Sequence, residues 1–99
     1  MIMAGSVSPA GFSWNENKAA RNLARHGIAF SEATTVFNDL LYIDFFDPDH
    51  SEVECRYIRV GCSELGRLLV VSYTEDAGVV RLISARPATR SEREAYEEH

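Results

Sequence analysis

The sequence predicts a single small α+β domain. It is a twisted antiparallel four-stranded sheet, extended by a short N-terminal strand, with two N-terminal helices on one face and a C-terminal helix. Three observations predict it. Two early segments carry helix punctuation, four apolar β-branched runs follow one another across short turns, and a capping box opens a last helical stretch. Ninety-nine residues suit one domain with one modest core. A hydrophobic fraction of 45% with 25% charged residues fits a globular rather than a disordered chain.

The elements follow in order. Residues 1–10 are small, polar, Met or Pro and are expected to be disordered, so that the domain spans 11–99. Gly11 to Trp14 reads as a short strand, and Asn15 as the N-cap of a helix from Glu16 to about His26. Ala19, Ala20, Leu23 and Ala24 recur at helical spacing and are its expected buried stripe. Gly27 is the expected left-handed C-cap, with Arg25 and His26 in the last turn, where the helix dipole favours cations. Ser31 then reads as a second N-cap, for a short helix from Glu32 to about Phe37 with Ala33, Val36 and Phe37 facing inward.

Leu40 to Phe46 is apolar, β-branched or aromatic and reads as a strand, followed by an acidic loop from Asp47 to Glu54. Further strands are expected at Cys55 to Cys62, Arg67 to Thr74 and Val79 to Arg86, separated by turns ending in Gly66 and Gly78. Short turns between consecutive apolar strands point to an antiparallel meander. Thr89-Arg-Ser-Glu92 matches a capping box and opens a helix to about Glu98. The two N-terminal helices are expected on one sheet face, leaving the other partly open. Trp14 is assigned to the core.

Composition excludes several classes. No apolar run approaches the ~18–20 residues of a membrane span, and the start lacks the charge and apolar pattern of a signal peptide, so the cytoplasm is the expected compartment. Cys55 and Cys62 fall on one expected strand, where at ~3.3 Å per residue they lie beyond disulfide reach. They also lack the partners of a zinc site. Asp47, Asp49, His50, Glu52 and Glu54 have metal-ligating side chains but neither the glycine turn nor the spacing of a calcium loop, and read as solvated loop charges. No metal and no cofactor is expected. The net charge of −5 runs against nucleic-acid binding, but the acids cluster in 44–54 and 92–98, and nine of the ten basic residues are Arg. A local arginine-rich face is compatible with an acidic whole.

Several segments, in order, resemble one family. They are Phe12 to Lys18; Asn22 with Arg25-His-Gly-Ile28; Phe30-Ser-Glu-Ala33 with Val36 and Phe37; Asp47-Pro-Asp-His50 with Glu54 and Arg56; Gly66 to Val71; and Arg81 to Arg86 with Ala88, Glu92, Arg93 and Tyr96. Together they resemble the BrnT toxins of type II toxin–antitoxin pairs. The resemblance implies a RelE-like fold and an RNA-cleaving activity that inhibits translation. It also implies a BrnA-like ribbon-helix-helix antitoxin as partner, with promoter DNA bound only by the joint complex. Arg25 stands where the family more often has Lys, which keeps the charge.

Metal-free RNA cleavage needs a base for the 2′-hydroxyl, cations for the phosphorane-like transition state, and an acid for the leaving 5′-oxygen. Arginine suits the second role, being always charged and able to donate two parallel hydrogen bonds to phosphate. Arg56, Arg59, Arg67, Arg81 and Arg86 lie on or beside expected strands, and Arg56, Arg81 and Arg86 are the catalytic candidates. By strict alternation Arg81 shares a face with Val79 and Ile83, and Arg86 shares the opposite one with Val80 and Leu82. A common cleft therefore requires a bulge or a turn at the strand's end. A strand-edge or surface charge is the alternative for each arginine.

His26 is the first candidate for proton transfer, since imidazole titrates near neutrality; its alternative is a helix-end residue facing the dipole. Glu54 is a second possible base, or a solvated loop charge. Lys18 and Arg67 are candidate RNA contacts. Tyr96 is a third, stacking on a base, unless it packs the last helix on the sheet. The competing function is a non-enzymatic interaction or co-repressor module, whose arginines answer an acidic antitoxin segment.

Overall fold

The computed structural model describes residues 9–47 and 55–99. Five strands form one sheet, in the order β1-β5-β4-β3-β2. They are β1 (Gly11–Ser13), β2 (Ile43–Phe46), β3 (Tyr57–Cys62), β4 (Leu68–Asp76) and β5 (Val79–Pro87). The meander β2 to β5 is antiparallel, as alternation and short turns predicted. The N-terminal strand, however, pairs parallel to β5, so the sheet is mixed. The β4–β5 hairpin turns on Ala77 and Gly78, whose φ angles of 53° and 83° give the twist that a two-residue hairpin needs.

Helices α1 (Glu16–His26) and α2 (Phe30–Thr35) and a 3₁₀ turn (Val36–Asn38) precede β2, and α3 (Arg90–Glu98) closes the chain. The local signals for α1 are all present. Asn15 accepts a hydrogen bond from the Lys18 N–H, and Gly27, at φ 72°, donates to the Leu23 carbonyl. The capping box of α3 is likewise formed, Thr89 and Glu92 each bonding the other's backbone N–H.

The sheet separates two apolar clusters. On one face Ile28, Phe30, Ala33, Val36 and Phe37 pack against Leu69, Val71, Tyr73, Val80, Leu82 and Ala85, with Trp14 and Ala19 at the margin. On the other face Val60, Leu68 and Val70 lie with Ile43, Ile58, Ala88 and Tyr96, beneath α3. The Asp39 carboxylate ties this second layer together. It accepts the Cys62 N–H at 2.7 Å, the Tyr96 hydroxyl at 2.6 Å and the Leu41 N–H at 2.9 Å. Burial alone would raise Asp39, but these hydrogen bonds outweigh it and hold the carboxyl below its ordinary range.

Four local expectations need correction. The stripe Ala19, Ala20, Leu23, Ala24 is not buried as such: Ala19 is half-buried, but Leu23 is 52% exposed, and the buried residue of α1 is Asn22. The cause is that α1 is tied to β5 through an amide rather than through an apolar stripe. Ser31 is no N-cap, because the helix starts one residue earlier at Phe30 with Ala29 extended before it. The same helix ends at Thr35 and tightens to 3₁₀, since the Thr34 and Thr35 hydroxyls bond the carbonyls of Ser31 and Glu32. Finally, β2 begins at Ile43, because Leu40 and Leu41 sit in a turn held by Asp39. Glu54, His50 and the expectation about residues 1–8 lie outside the described residues. Both cysteines are free thiols, and no helix among the described residues is long and apolar enough to cross a membrane.

Candidate nucleic-acid interface

The outer edge of β5 is covered unevenly. β1 pairs with it only from Val79 to Arg81. Three residues past Leu82, at Ala85, the side chain of Asn22 replaces a strand. Its Nδ2 donates to the Ala85 carbonyl at 2.9 Å and its Oδ1 accepts the Ala85 N–H at 3.0 Å. The same Nδ2 donates to the Ile28 carbonyl at 2.9 Å. A buried amide that meets three backbone groups fixes the helix against the strand.

Between these two covered stretches lies a groove of about 520 Å³, bounded by Lys18, Arg21, Arg25 and His26 on α1 and by Ile83 and Ser84 on β5. On α1 these residues follow the helical repeat, Lys18, Arg21 or Asn22, then Arg25 or His26, so one helix face turns to the strand edge. That face is cationic instead of apolar.

The strand beneath it carries a bulge. Ser72 pairs with Ser84, but its neighbour Tyr73 pairs with Leu82, so Ile83 is an extra residue on β5. Val80, Leu82 and Ala85 consequently all reach the same core. Arg81, opposite Thr74, and Arg86, opposite Val70, are thereby brought to the face that bears α3. Strict alternation had separated them, and the bulge is what unites them. Arg56, one residue before β3, has the parity of Ile58 and Val60 and belongs to this face too; it is half-buried.

The arginines differ in what already holds them. Arg59 donates to both oxygens of Asp44 at 2.8 and 2.9 Å, and its guanidinium lies 4.4 Å from the Phe37 ring centre and 3.8 Å from that of Tyr42. Arg67 forks onto the buried Glu32, which Ser63 also contacts, and this guanidinium holds the Glu32 carboxyl below its ordinary range. Arg86 grips both oxygens of Glu92 at 2.8 Å and, with the Thr89 contacts, lowers that carboxyl to about 2. Arg90 and Arg93 reach Glu94 and Glu97 on their own helix.

Lys18, Arg21, Arg25 and Arg81 have no acidic partner among the described residues, and all four stand on α1 or on β5. Of the expected site residues, then, Lys18 and His26 meet in the groove, and Arg56, Arg81 and Arg86 share one sheet face. Arg67, at the β3–β4 turn, lines neither, but its Nη2 donates to the Gly27 carbonyl at 3.4 Å, one residue past His26. Tyr96 packs in the α3 layer, its hydroxyl raised to about 12 by burial and by the Asp39 bond. Arg21, Ser84 and Asn22 were not foreseen as site residues. The spacing of Lys18, Arg21 and Arg25 was the available signal for the first; nothing local announces the others.

Comparison with known proteins now bears on this arrangement. The family model described as ribonuclease toxin, BrnT, of type II toxin–antitoxin system matches residues 14–92. Among solved structures, the chain resembles the crystal structure of the Brucella abortus ribonuclease toxin BrnT, with a TM-score of 0.60 and 19% identity. The match covers 81% of this chain and 97% of that one, and at such identity it speaks for the fold. No curated protein matches the sequence.

Proposed function

The chain belongs to the BrnT ribonuclease toxins of type II toxin–antitoxin systems, and on that premise we propose that it cleaves RNA without a metal at the α1–β5 edge. The observation that carries this reading is the sorting of its cations. On a chain of net charge −5, Arg59, Arg67 and Arg86 fork onto carboxylates of the fold and Arg90 and Arg93 pair along α3, while Lys18, Arg21, Arg25 and Arg81, with no acidic partner among the described residues, stand on two adjoining elements. Cations left desolvation-free beside a groove attract a phosphate backbone and concentrate it locally.

In this reading Lys18, Arg21 and Arg25 hold backbone phosphates along α1. Arg81 stabilises the charge that grows on the phosphoryl oxygens as the 2′-oxygen attacks phosphorus. The bond to the 5′-oxygen breaks, leaving a 2′,3′-cyclic phosphate, and His26 serves one of the two proton transfers. Arg56 and Arg86 support the same face, Arg86 with its fork already oriented by Glu92. Glu54 is the candidate for the second proton transfer. Arg67 and Tyr96, each engaged within the protein, act on RNA through the shape of the fold rather than as free contacts. A BrnA-like ribbon-helix-helix protein restrains the activity, and promoter DNA is bound through that complex.

The test is expression of the chain alone beside a His26→Ala/Arg81→Ala double variant, with growth and RNA integrity followed. Cleavage is then measured on purified protein in EDTA, on an RNA and on its 2′-deoxy counterpart. Arrest and RNA loss with the wild type only, and cleavage in EDTA that needs the 2′-hydroxyl, support the proposal. Arrest by both proteins moves the site elsewhere. A folded wild type that neither arrests growth nor cuts RNA points to the non-enzymatic interaction module.

A further inference from the structure

The opposite edge of the sheet is built for something else. Among the described residues β2 is an edge strand, paired only with β3. Leu40 and Leu41, 79% and 64% exposed, lead into it, and Phe45 and Phe46 on it are 49% and 53% exposed. Most of the large apolar side chains that the described part of the chain leaves in water thus fall within one short segment. The devices that usually protect an edge are missing: the strand Ile43-Asp-Phe-Phe46 has no Lys, no Pro and no bulge. Its single charge, Asp44, is consumed by Arg59 and by the Tyr73 hydroxyl at 2.9 Å.

Beside this edge, on the face away from α3, opens a pocket of about 480 Å³ whose wall holds Tyr57, Tyr73, the paired Asp44 and Arg59, and Glu75, which is the lining carboxylate without an ion pair among the described residues. Its aromatic wall is continuous with the strand, since Phe46 stands edge-on to Tyr57 at 5.9 Å and Tyr57 lies 5.7 Å from Tyr73. Asp44 is paired with Arg59, which leaves Glu75 and Asp76 as exposed acids on β4 without an ion pair among the described residues.

We propose that the antitoxin docks on this β2 edge by adding an extended, basic and apolar segment to the sheet, with an Arg or Lys side chain entering the Tyr57–Tyr73–Glu75 pocket. Backbone pairing satisfies the open strand edge. Side chains alternate along such a segment, so apolar ones on one face cover Phe45 while a cation on the other meets aromatic rings and a carboxylate. A second copy of this chain is the poorer occupant, because its β2, Ile43-Asp-Phe-Phe46, brings no cation to meet Glu75 across the joint. The partner's identity rests on the toxin–antitoxin reading; its position, far across the sheet from the cationic groove, does not.

The experiment uses the protein encoded by the reading frame adjoining this chain's own gene, coexpressed and then titrated onto purified toxin. Phe45→Ser/Phe46→Ser is expected to weaken binding at least 100-fold, and Glu75→Lys at least tenfold. Both variants should arrest growth even when the adjoining protein is present. Leu40→Lys, in the exposed turn, is a further variant that leaves the strand intact, and melting curves confirm folding of all three. Lys18→Ala and Arg25→Ala, in the groove, are expected to change this affinity less than threefold. Unchanged affinity in the β2 variants, or loss of it in the groove variants, overturns the proposal. So does a wild-type dimer in sedimentation that the β2 substitutions dissolve. If the adjoining protein fails to bind the wild type at all, the pairing falls and the proposal with it. If it binds through β2 while the wild type cuts no RNA, the docking stands and the nuclease reading fails.

Discussion

Arg59 and Arg81 sit two strands apart in one small sheet and do opposite things. At the β2–β3 edge, Arg59 is withdrawn from water, forked onto Asp44 and enclosed by the rings of Phe37, Tyr42 and Tyr73. On β5, between β1 and β4, Arg81 is exposed and has no ion pair among the described residues, and Lys18, Arg21 and Arg25 stand on the helix that packs on the same strand. The same side chain serves as a structural rivet in one place and as an available cation in the other. What separates them is the neighbourhood. A carboxylate opposite in register and a cage of aromatic rings meet the cost of desolvating Arg59, and neither exists around Arg81. Counting arginines therefore says little about nucleic-acid binding; asking which ones lack an internal partner says much more.

The contrast can be broken first at its structural end. Asp44→Ala leaves the Arg59 guanidinium desolvated without its anion and is expected to cost about 3 kcal/mol of stability. RNA cleavage by the fraction still folded should be nearly unchanged. Chemical denaturation with a parallel cleavage assay checks both halves; a variant as stable as the wild type would mean that Arg59 holds nothing.

Arg81→Ala is the converse. Loss of a transition-state cation should lower cleavage on the order of 10²-fold, about 2.7 kcal/mol, with the melting temperature unmoved. A fall in stability comparable to that of Asp44→Ala would erase the distinction between the two arginines.

Arg86 stands between the extremes, partly exposed and gripped by Glu92. The folded carboxyl is held near 2, against an ordinary value of 4.5. A depressed acid contributes its full stability above the ordinary value and loses it as pH falls toward the folded one, so the contribution disappears between about pH 4.5 and 2. Arg86→Ala should therefore cost about 1 kcal/mol at neutral pH, a small figure because the pair is solvent-screened. Thermal melts from pH 7 to 2 should show wild type and variant converging at the acid end; a constant gap would contradict this account.

The smallest effect is expected at Lys18. Replacing it with Ala should weaken RNA binding only a few-fold while reducing the slope of log affinity against log salt by about 0.7, the share of one phosphate contact on a single strand. Titrations at several salt concentrations read this directly, and an unchanged slope would remove Lys18 from the interface.

The fold was largely legible before any coordinates, and the candidate site only in part. The ends of α1 and α3 were readable because Asn15, Gly27, Thr89 and Glu92 act on backbone groups within a few residues of themselves. The strands of the meander were readable because alternation and short Gly turns are also local. Misreadings arose where a tertiary contact overrode a local preference. Ser31 lost its capping role to a helix that starts earlier, and the apolar side of α1 stayed in water because Asn22 anchors the helix from another side.

By itself, then, the sequence determined the α+β class, the order of elements, the absence of a membrane-length apolar run and the set of cations from which a site had to be drawn. The tertiary structure alone decided the parallel seat of β1, the extra residue at Ile83 that puts Arg81 and Arg86 on one face, and which arginines find acids. The physical reason is range. Caps and turns are settled by interactions over three or four residues, whereas Asn22 meets Ala85 across 63 positions and Arg67 meets Glu32 across 35. Such partners are chosen only when the packed sheet brings them together.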